Sequence, residues 1–389
     1  MIIIKKAYLL SMADVNYEYR DILIDKGKIV KIAKNINPDD YKEVAVIKAV
    51  GRYVTPGLID AHTHLGILEE IIKEGDDVNE MSNPITPALR AIDGINPSDE
   101  GFDEALKAGV TTVSIGPGSA NLIGGTFAIL KMREGTLEDK VLVEESAMKM
   151  TLGENPKRVY GNQNKEPITR MASASLIRES LIKAKNYHDK YHKYLLDLEA
   201  GKDVNFEYDH NLASLMRVFD GMPVKIHAHR ADDICTAIRI MEEFNLKYTI
   251  EHATEGHLIP STLVNHHVTC NIGPTLSSKS KPELANKSFD VGRILAENKI
   301  PFSIITDHPI IELENMLLQV GRFVRAGLNE LTALKAVTIN AATSLGIDKK
   351  IGSIEVGKDA DIVIWSHHPF HYLATPKCIL IDGKIVYRK

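Results

Sequence analysis

Between Thr55 and about Ile347, eight short β-branched runs alternate with helical patterns, and this alternation restricts the chain more than any other feature. The runs fall at 57–61, 111–115, 126–131, 147–152, 223–227, 248–252, 268–272 and 302–306. Strands separated by helices are joined by crossovers and therefore run parallel, with helices covering the sheet. Eight such strands predict a closed α/β barrel of the (β/α)8 TIM type over 56–347, although the third run is weakly marked. A helical insertion is expected around 155–222. Within it, from Thr169 to about Ala200, apolar side chains recur at Ile177, Leu181, Ala184, Tyr191, Leu195 and Leu198, the period of one long helix. Such an excursion either covers a site or packs against another subunit.

The two ends share a texture. Short strands are expected at 2–7, 21–24, 28–32 and 44–50, and again at 360–365 and 377–381, punctuated by Asp25-Lys26-Gly27 and Asp382-Gly383. The phrase Ile24-Asp25-Lys26-Gly27-Lys28-Ile29-Val30 returns as Ile381-Asp382-Gly383-Lys384-Ile385-Val386, with one Lys fewer. Two like hairpins at opposite termini predict one small β domain built from 1–55 and 348–389.

Composition closes off several classes of function. With 47 Lys+Arg against 52 Asp+Glu, the net charge of -5 gives no electrostatic footprint for nucleic acid. No apolar stretch approaches the ~18 residues of a membrane span. The opening Met1-Ile2-Ile3-Ile4-Lys5-Lys6 reverses the charge order of a signal peptide. Cys235, Cys270 and Cys378 are widely spaced and form no CxxC pair, so a cytoplasmic location is expected.

Chemistry concentrates at the ends of the runs. In Pro56-Gly57-Leu58-Ile59-Asp60-Ala61-His62-Thr63-His64, a strand sends His62 and His64 to the same face, where two imidazoles can share a metal ion. Lys225-Ile226-His227-Ala228-His229, Thr249-Ile250-Glu251-His252 and Ile305-Thr306-Asp307 each put a further candidate at the C-terminal end of a later strand. Barrel active sites are assembled there from several strand ends. A single histidine in such a place is usually a core residue; four with an aspartate are a metal site.

On these residues the chain resembles the amidohydrolase superfamily, in its imidazolonepropionase-like branch, which also holds metal-dependent dipeptidases. PGLIDAHTH, Gly109-Val110-Thr111-Thr112, HAH, EHATEG, TDHP, Asn340-Ala341-Ala342 and the closing GSIEVGKDAD occur in the family's order. The resemblance implies that the terminal strands form a small β-sandwich. It also implies that His62, His64 and Asp307 hold one divalent ion, most simply Zn2+, while His227 and His252 hold a second where there are two. In binuclear relatives a carboxylated lysine on the fourth strand bridges the ions. Lys149, on one face with Ala147 and Thr151, is the candidate, with Glu154 as the alternative.

The reaction so implied is hydrolysis of a C–N amide bond, cyclic or peptide-like, in a small molecule. Metal-activated hydroxide would attack, and Asp307 would act as general base and then acid. A metal-dependent dipeptidase is the alternative, ahead of a deaminase or a barrel without catalysis. No arginine follows the HxH in Leu65-Gly66-Ile67-Leu68-Glu69-Glu70, unlike imidazolonepropionase proper, and His227-Ala228-His229-Arg230 lacks the glutamate of the deaminases. His229 and Arg230 are candidate substrate contacts, with Arg158 and Arg170 as further cations near the site. The Gly-rich segment 116–125 is expected to be a flexible rim loop and 155–170 a lid. His188-Asp189-Lys190-Tyr191-His192 mimics HExxH, but its place in the long insertion predicts a solvated helix face. A homo-oligomer is expected from the insertion helix and the family's habit.

Overall fold

The computed structural model describes residues 1–13, 18–69 and 76–389, so Glu70 lies outside the described residues. It contains two eight-stranded sheets. The first draws on both ends of the chain. Strands β1 (Ile2–Leu9), β2 (Glu18–Asp25), β3 (Lys28–Ala33), β4 (Ala45–Lys48) and β5 (Tyr53–Pro56) come from the start. β5 then pairs antiparallel with a strand from the other end, Ile362–Trp365, which continues into Pro376–Ile381 and Lys384–Arg388. Ile4, Ile22, Ile29 and Val54 bury against Ile362, Ile364 and Leu380 in one apolar cluster.

The repeated phrase explains how the ends meet. Its two copies form the turns of two hairpins, Asp25 opposite Lys28 and Ile381 opposite Lys384. The turns lie against each other. A Cβ on Gly383 would stand 2.8 Å from Ile24 Cγ2 and 3.0 Å from Gly27 Cα, and both glycines have positive φ, 69° at Gly383 and 81° at Gly27. Glycine is required at both places for conformation and for closeness.

The second sheet is the barrel. Its strands are β6 (Leu58–Thr63), β7 (Val110–Ile115), β8 (Ile123–Lys131), β9 (Val141–Thr151), β10 (Val224–Ala228), β11 (Tyr248–His252), β12 (Cys270–Ile272) and β13 (Phe302–Ile304). They neighbour one another in sequence order. The eight expected runs are all strands, but not all are parallel. β8 runs antiparallel to both β7 and β9. Only residues 116–122 join β7 to β8, too little for a crossover, which needs a dozen residues or more. Its hairpin connections account for the weak signal of that run.

The first six α-helices are α1 (Glu100–Lys107), α2 (Leu137–Lys140), α3 (Glu154–Asn162), α4 (Arg170–Glu199), α5 (His210–Met216) and α6 (Ala231–Glu243). α4 is the expected long helix, opened by Thr169, whose side chain accepts the N–H of Ala172 at 3.1 Å. Ala174, Ile177, Leu181 and Ala184 bury in the barrel's outer core. Past Tyr187 the helix leaves the barrel, and Tyr191 and Tyr194 pack instead on Phe206 of the returning segment at 5.2 and 5.3 Å. Among the described residues, no helix is long and apolar enough to cross a membrane.

Candidate active site

Two groups of possible ligands face each other across the C-terminal mouth of the barrel. His62, His64 and Asp307 form one; His227, His229 and His252 form the other, and within each group the ligand atoms lie within 4.8 Å of one another. His62 and His64 come from β6, His227 from β10 with His229 just beyond it, and His252 from the end of β11. The rings of His62 and His252 are 5.2 Å apart, so the groups are contiguous.

Strict alternation does not explain two of these positions. On β11 it sends Thr249 and Glu251 inward and His252 outward. The chain leaves the extended conformation at that residue: His252 has φ 71° and Ala253 φ 42°. Asp307 does the same beyond β13, with φ 56°. Left-handed backbone at non-glycine residues is uncommon and gathers at functional sites. Here it turns two strand-end side chains back over the mouth.

The imidazoles are fixed by their far nitrogens. His62 Nδ1 donates to Glu251 Oε2 at 2.6 Å, His64 Nδ1 to the Gly116 carbonyl at 2.7 Å and His252 Nδ1 to the Gly273 carbonyl at 2.8 Å. Each bond leaves Nε2 for the site, with the proton on the side away from it. Burial, before any charge effect, pushes His62, His227, His229 and His252 below the usual imidazole range, so they are neutral as ligation requires. Both ring nitrogens of His227 are buried without a hydrogen-bond partner. An orphaned neutral imidazole amid other imidazoles and a carboxylate is the donor chemistry of a divalent metal, and the residues present fit one.

Glu251 is a residue that sequence reasoning passed over, though its place in EHATEG and its inward register were both readable. It is fully buried and also takes bonds from Thr249 Oγ1 at 2.5 Å and Asn271 Nδ2 at 2.7 Å, with Lys225 Nζ at 3.2 Å. Burial would raise its carboxyl, but the Lys225 charge and the His62 bond hold it well below the usual range. It is therefore an anionic anchor for His62.

Lys149 is fully buried on β9, in register with Lys225, and its Nζ stands 3.3 Å from His62 Nε2. Burial lowers its amine to about 8 although Asp307 and Glu251 pull the other way. Glu154, the alternative, lies at the start of α3 and belongs to neither ligand group; its backbone N–H donates to Glu283 Oε2 at 3.0 Å. His229 Nδ1 lies 2.7 Å from Thr254 Oγ1, and its Nε2 is 3.6 Å from Glu283 Oε1.

The cations near the mouth are mostly engaged elsewhere. Arg230 forks onto its neighbour Asp232 at 2.9 and 3.0 Å on the surface, and Arg170 forks onto Asp233 at 2.9 and 3.1 Å. Arg158 is exposed on α3. Lys281 acts on the site together with Lys149: after burial, both charges depress His227 and His229, and Lys281 Nζ is 2.5 Å from Glu283 Oε1. The segment 116–125 is no flexible rim. Most of it is buried, Gly116 receives His64, and Ala120 donates to Asn79 Oδ1 at 2.9 Å. Within the expected lid, 155–170, Tyr160 is buried and its hydroxyl donates to Asn121 Oδ1 at 3.0 Å, while residues 162–166 are exposed.

The amidohydrolase family pattern matches residues 53–386, and the chain belongs to that family. It is therefore a hydrolase acting on carbon–nitrogen bonds. It is 24% identical to an imidazolonepropionase of Thermoplasma volcanium over 95% of this chain and 91% of that one. To the amidohydrolase tasK of Hapsidospora irregularis it is 29% identical over 93% of this chain, which spans only 39% of that relative's length. A crystal structure of an amidohydrolase from Thermotoga maritima superposes with a TM-score of 0.95 at 38% identity, covering 100% of both chains. A prolidase bound to N-methylphosphonate-L-proline shares the fold, at TM-score 0.63 and 17% identity.

Proposed function

We propose that this chain hydrolyses a cyclic amide or a peptide-like C–N bond in a small molecule, using one or two divalent ions, most simply Zn2+. His62, His64 and Asp307 would hold one ion and His227 and His252 the second, with Lys149, once carboxylated, as the ligand that would serve both. The observation that carries this reading is Lys149 itself, buried between the groups with Nζ 3.3 Å from His62 Nε2. A buried ammonium among imidazoles is costly. An amine lowered to about 8 is available to bond to the carbon of CO2 and release a proton, which turns the side chain into an anionic ligand.

A bound Zn2+ would polarise the scissile carbonyl and lower the pKa of its water to about 7. Asp307 takes the proton from the attacking water and returns it to the leaving nitrogen. Its Oδ1 lies 3.2 Å from His64 Nε2 and 3.7 Å from His62 Nε2. Burial acts to raise this carboxyl, and a cation held by the neighbouring imidazoles would keep it anionic. Glu251 keeps His62 turned to the site. His229 contacts substrate, and Lys281 is better placed than Arg230 to meet a substrate carboxylate. We assign 1–55 with 348–389 to a composite terminal domain and 56–347 to a barrel domain, a division that the two sheets support.

Metal analysis tests the reading on untagged protein grown with zinc and bicarbonate, after dialysis has removed loosely held ions. About two ions per chain, falling to one or none in Lys149→Ala, is the expected result for a bridged pair. One ion in both proteins overturns the bridge. A panel of lactam and hydantoin rings against dipeptides then separates the two forms of the substrate; turnover of neither, with metal in place, overturns the amide hydrolase.

A further inference from the structure

α4 carries His188 and His192 one turn apart, far from the barrel mouth. Residues four apart on a helix share a face, and the two rings stand with centroids 4.2 Å apart. The third member comes from another element. Asp220 lies in the turn between α5 and β10, where its backbone N–H donates to the Arg217 carbonyl at 3.1 Å. Its Oδ1 is 3.0 Å from His188 Nε2 and 3.5 Å from His192 Nε2. The three ligand atoms fall within 4.8 Å of one another, the same closeness as in the two groups at the mouth.

Two features set this trio apart from surface side chains that merely meet. His188 is only 18% exposed and its ring packs beside Phe219 at 5.9 Å, so one ligand is already held. Its other nitrogen, Nδ1, lies 3.3 Å from Asp189 Oδ1, the carboxylate-behind-imidazole arrangement that orients metal ligands. Asp189 also lies 3.7 Å from Lys185 Nζ, so that ammonium is paired with a carboxylate. His192 and Asp220 are about half exposed, at 51% and 47%, which leaves room for water to complete a coordination shell.

We propose that His188, His192 and Asp220 form an auxiliary divalent-cation site that clamps α4 to the turn leading into β10. Two imidazoles and a carboxylate suit Zn2+ and the neighbouring borderline ions rather than Ca2+ or Mg2+. The site lies at the start of β10, the end opposite His227, so the ion fastens the outside of the barrel and takes no part in the chemistry at the mouth. An ion that binds only the folded chain raises its stability with concentration.

Equilibrium dialysis of the untagged full chain, with its tightly held ions in place, against excess zinc tests the site. Wild type should take up one ion per chain more than His188→Gln/His192→Gln, and its thermal midpoint should rise with added zinc while that of the variant does not. Asp220→Asn alone should lose the extra ion at the zinc concentration that half-saturates wild type. It also serves as the test if the double variant folds poorly. Cobalt gives a second reading, through a visible absorption band present in wild type and absent from either variant. Equal uptake by wild type and both variants overturns the site. Uptake lost with the histidines but kept in Asp220→Asn overturns the three-ligand clamp and leaves an ordinary histidine pair.

Discussion

Asp60 closes the barrel against Thr306: its Oδ2 accepts the Thr306 backbone N–H at 2.8 Å and the Thr306 hydroxyl at 2.6 Å. β6 and β13 end the sheet and no strand ladder joins them. The seam is therefore held by a side chain, helped by the His64 N–H donating to the His308 carbonyl at 2.9 Å. The other oxygen, Oδ1, accepts the His62 N–H at 2.9 Å, so one carboxyl fixes the strand that carries both β6 ligands and the segment that leads to Asp307.

Asp60→Asn keeps the shape but presents an NH2 group where an acceptor is needed. We expect a loss of about 2 kcal/mol in unfolding free energy, the cost of leaving a buried donor unpaired. Urea unfolding checks it. A midpoint equal to that of wild type would mean that the seam is held without this carboxyl.

Glu251→Gln removes the charge behind His62 and leaves the site's own ligands in place. Loss of such a supporting carboxylate weakens metal affinity by about 10- to 100-fold. Competition with a chromophoric chelator, on variant protein shown to be folded, should show that drop. Unaltered affinity would remove Glu251 from any positioning role.

Much of this arrangement was readable from the chain. His62 and His64 share a face because they are two apart on a strand, and His227 and Lys149 follow the same rule on β10 and β9. His252 and Asp307 were readable only as strand-end residues, since their inward turn depends on left-handed backbone that no alternation shows. The reversal of β8 was hidden because its apolar run suits either direction; the short 116–122 connection was the available sign. Arg230 looked like a substrate contact by proximity in sequence, yet Asp232 two residues on captures it. Asp220 is remote from His188 in sequence, so the HExxH-like phrase read as a solvated helix face, whereas the fold leaves His188 only 18% exposed and brings Asp220 against both rings.

Lys131 ties the barrel to the terminal sheet. At the end of β8 it is fully buried, with Nζ 2.8 Å from Asp359, 2.9 Å from Asp361 and 2.6 Å from Asp382. Burial would lower its amine, but the three carboxylates, Asp361 foremost, raise it above the ordinary lysine value. Lys131→Met strips the one partner that, among the described residues, all three share, and strands Asp361 as a buried anion. Breaking a buried pair this way costs about 3 to 5 kcal/mol. Chemical denaturation should show a fall of that size; a fall below about 1 kcal/mol would mark the cage as a surface-like ion pair of little worth.

Asp21 gives the terminal sheet an acid-sensitive fastening. Its carboxylate is buried, accepts the backbone N–H groups of Lys6 at 2.7 Å and Ile36 at 2.8 Å, and lies 2.5 Å from Lys5 Nζ. Burial acts to raise its carboxyl, but the bonds from Lys5, Lys6 and Ile36 outweigh burial and hold it below the ordinary value. A carboxyl held low in the folded chain binds protons less readily there than in the unfolded one. Its contribution is thus complete above the unfolded value of about 4 and fades as the pH falls through the lower folded value. Asp21→Asn should cost about 2 kcal/mol at pH 7. Urea midpoints of variant and wild type, measured on metal-free protein to keep ligand protonation out of the comparison, should converge as the pH is lowered below 4. A gap that stays constant with pH would show that Asp21 stabilises the sheet by shape and hydrogen bonding alone, with no share from its charge.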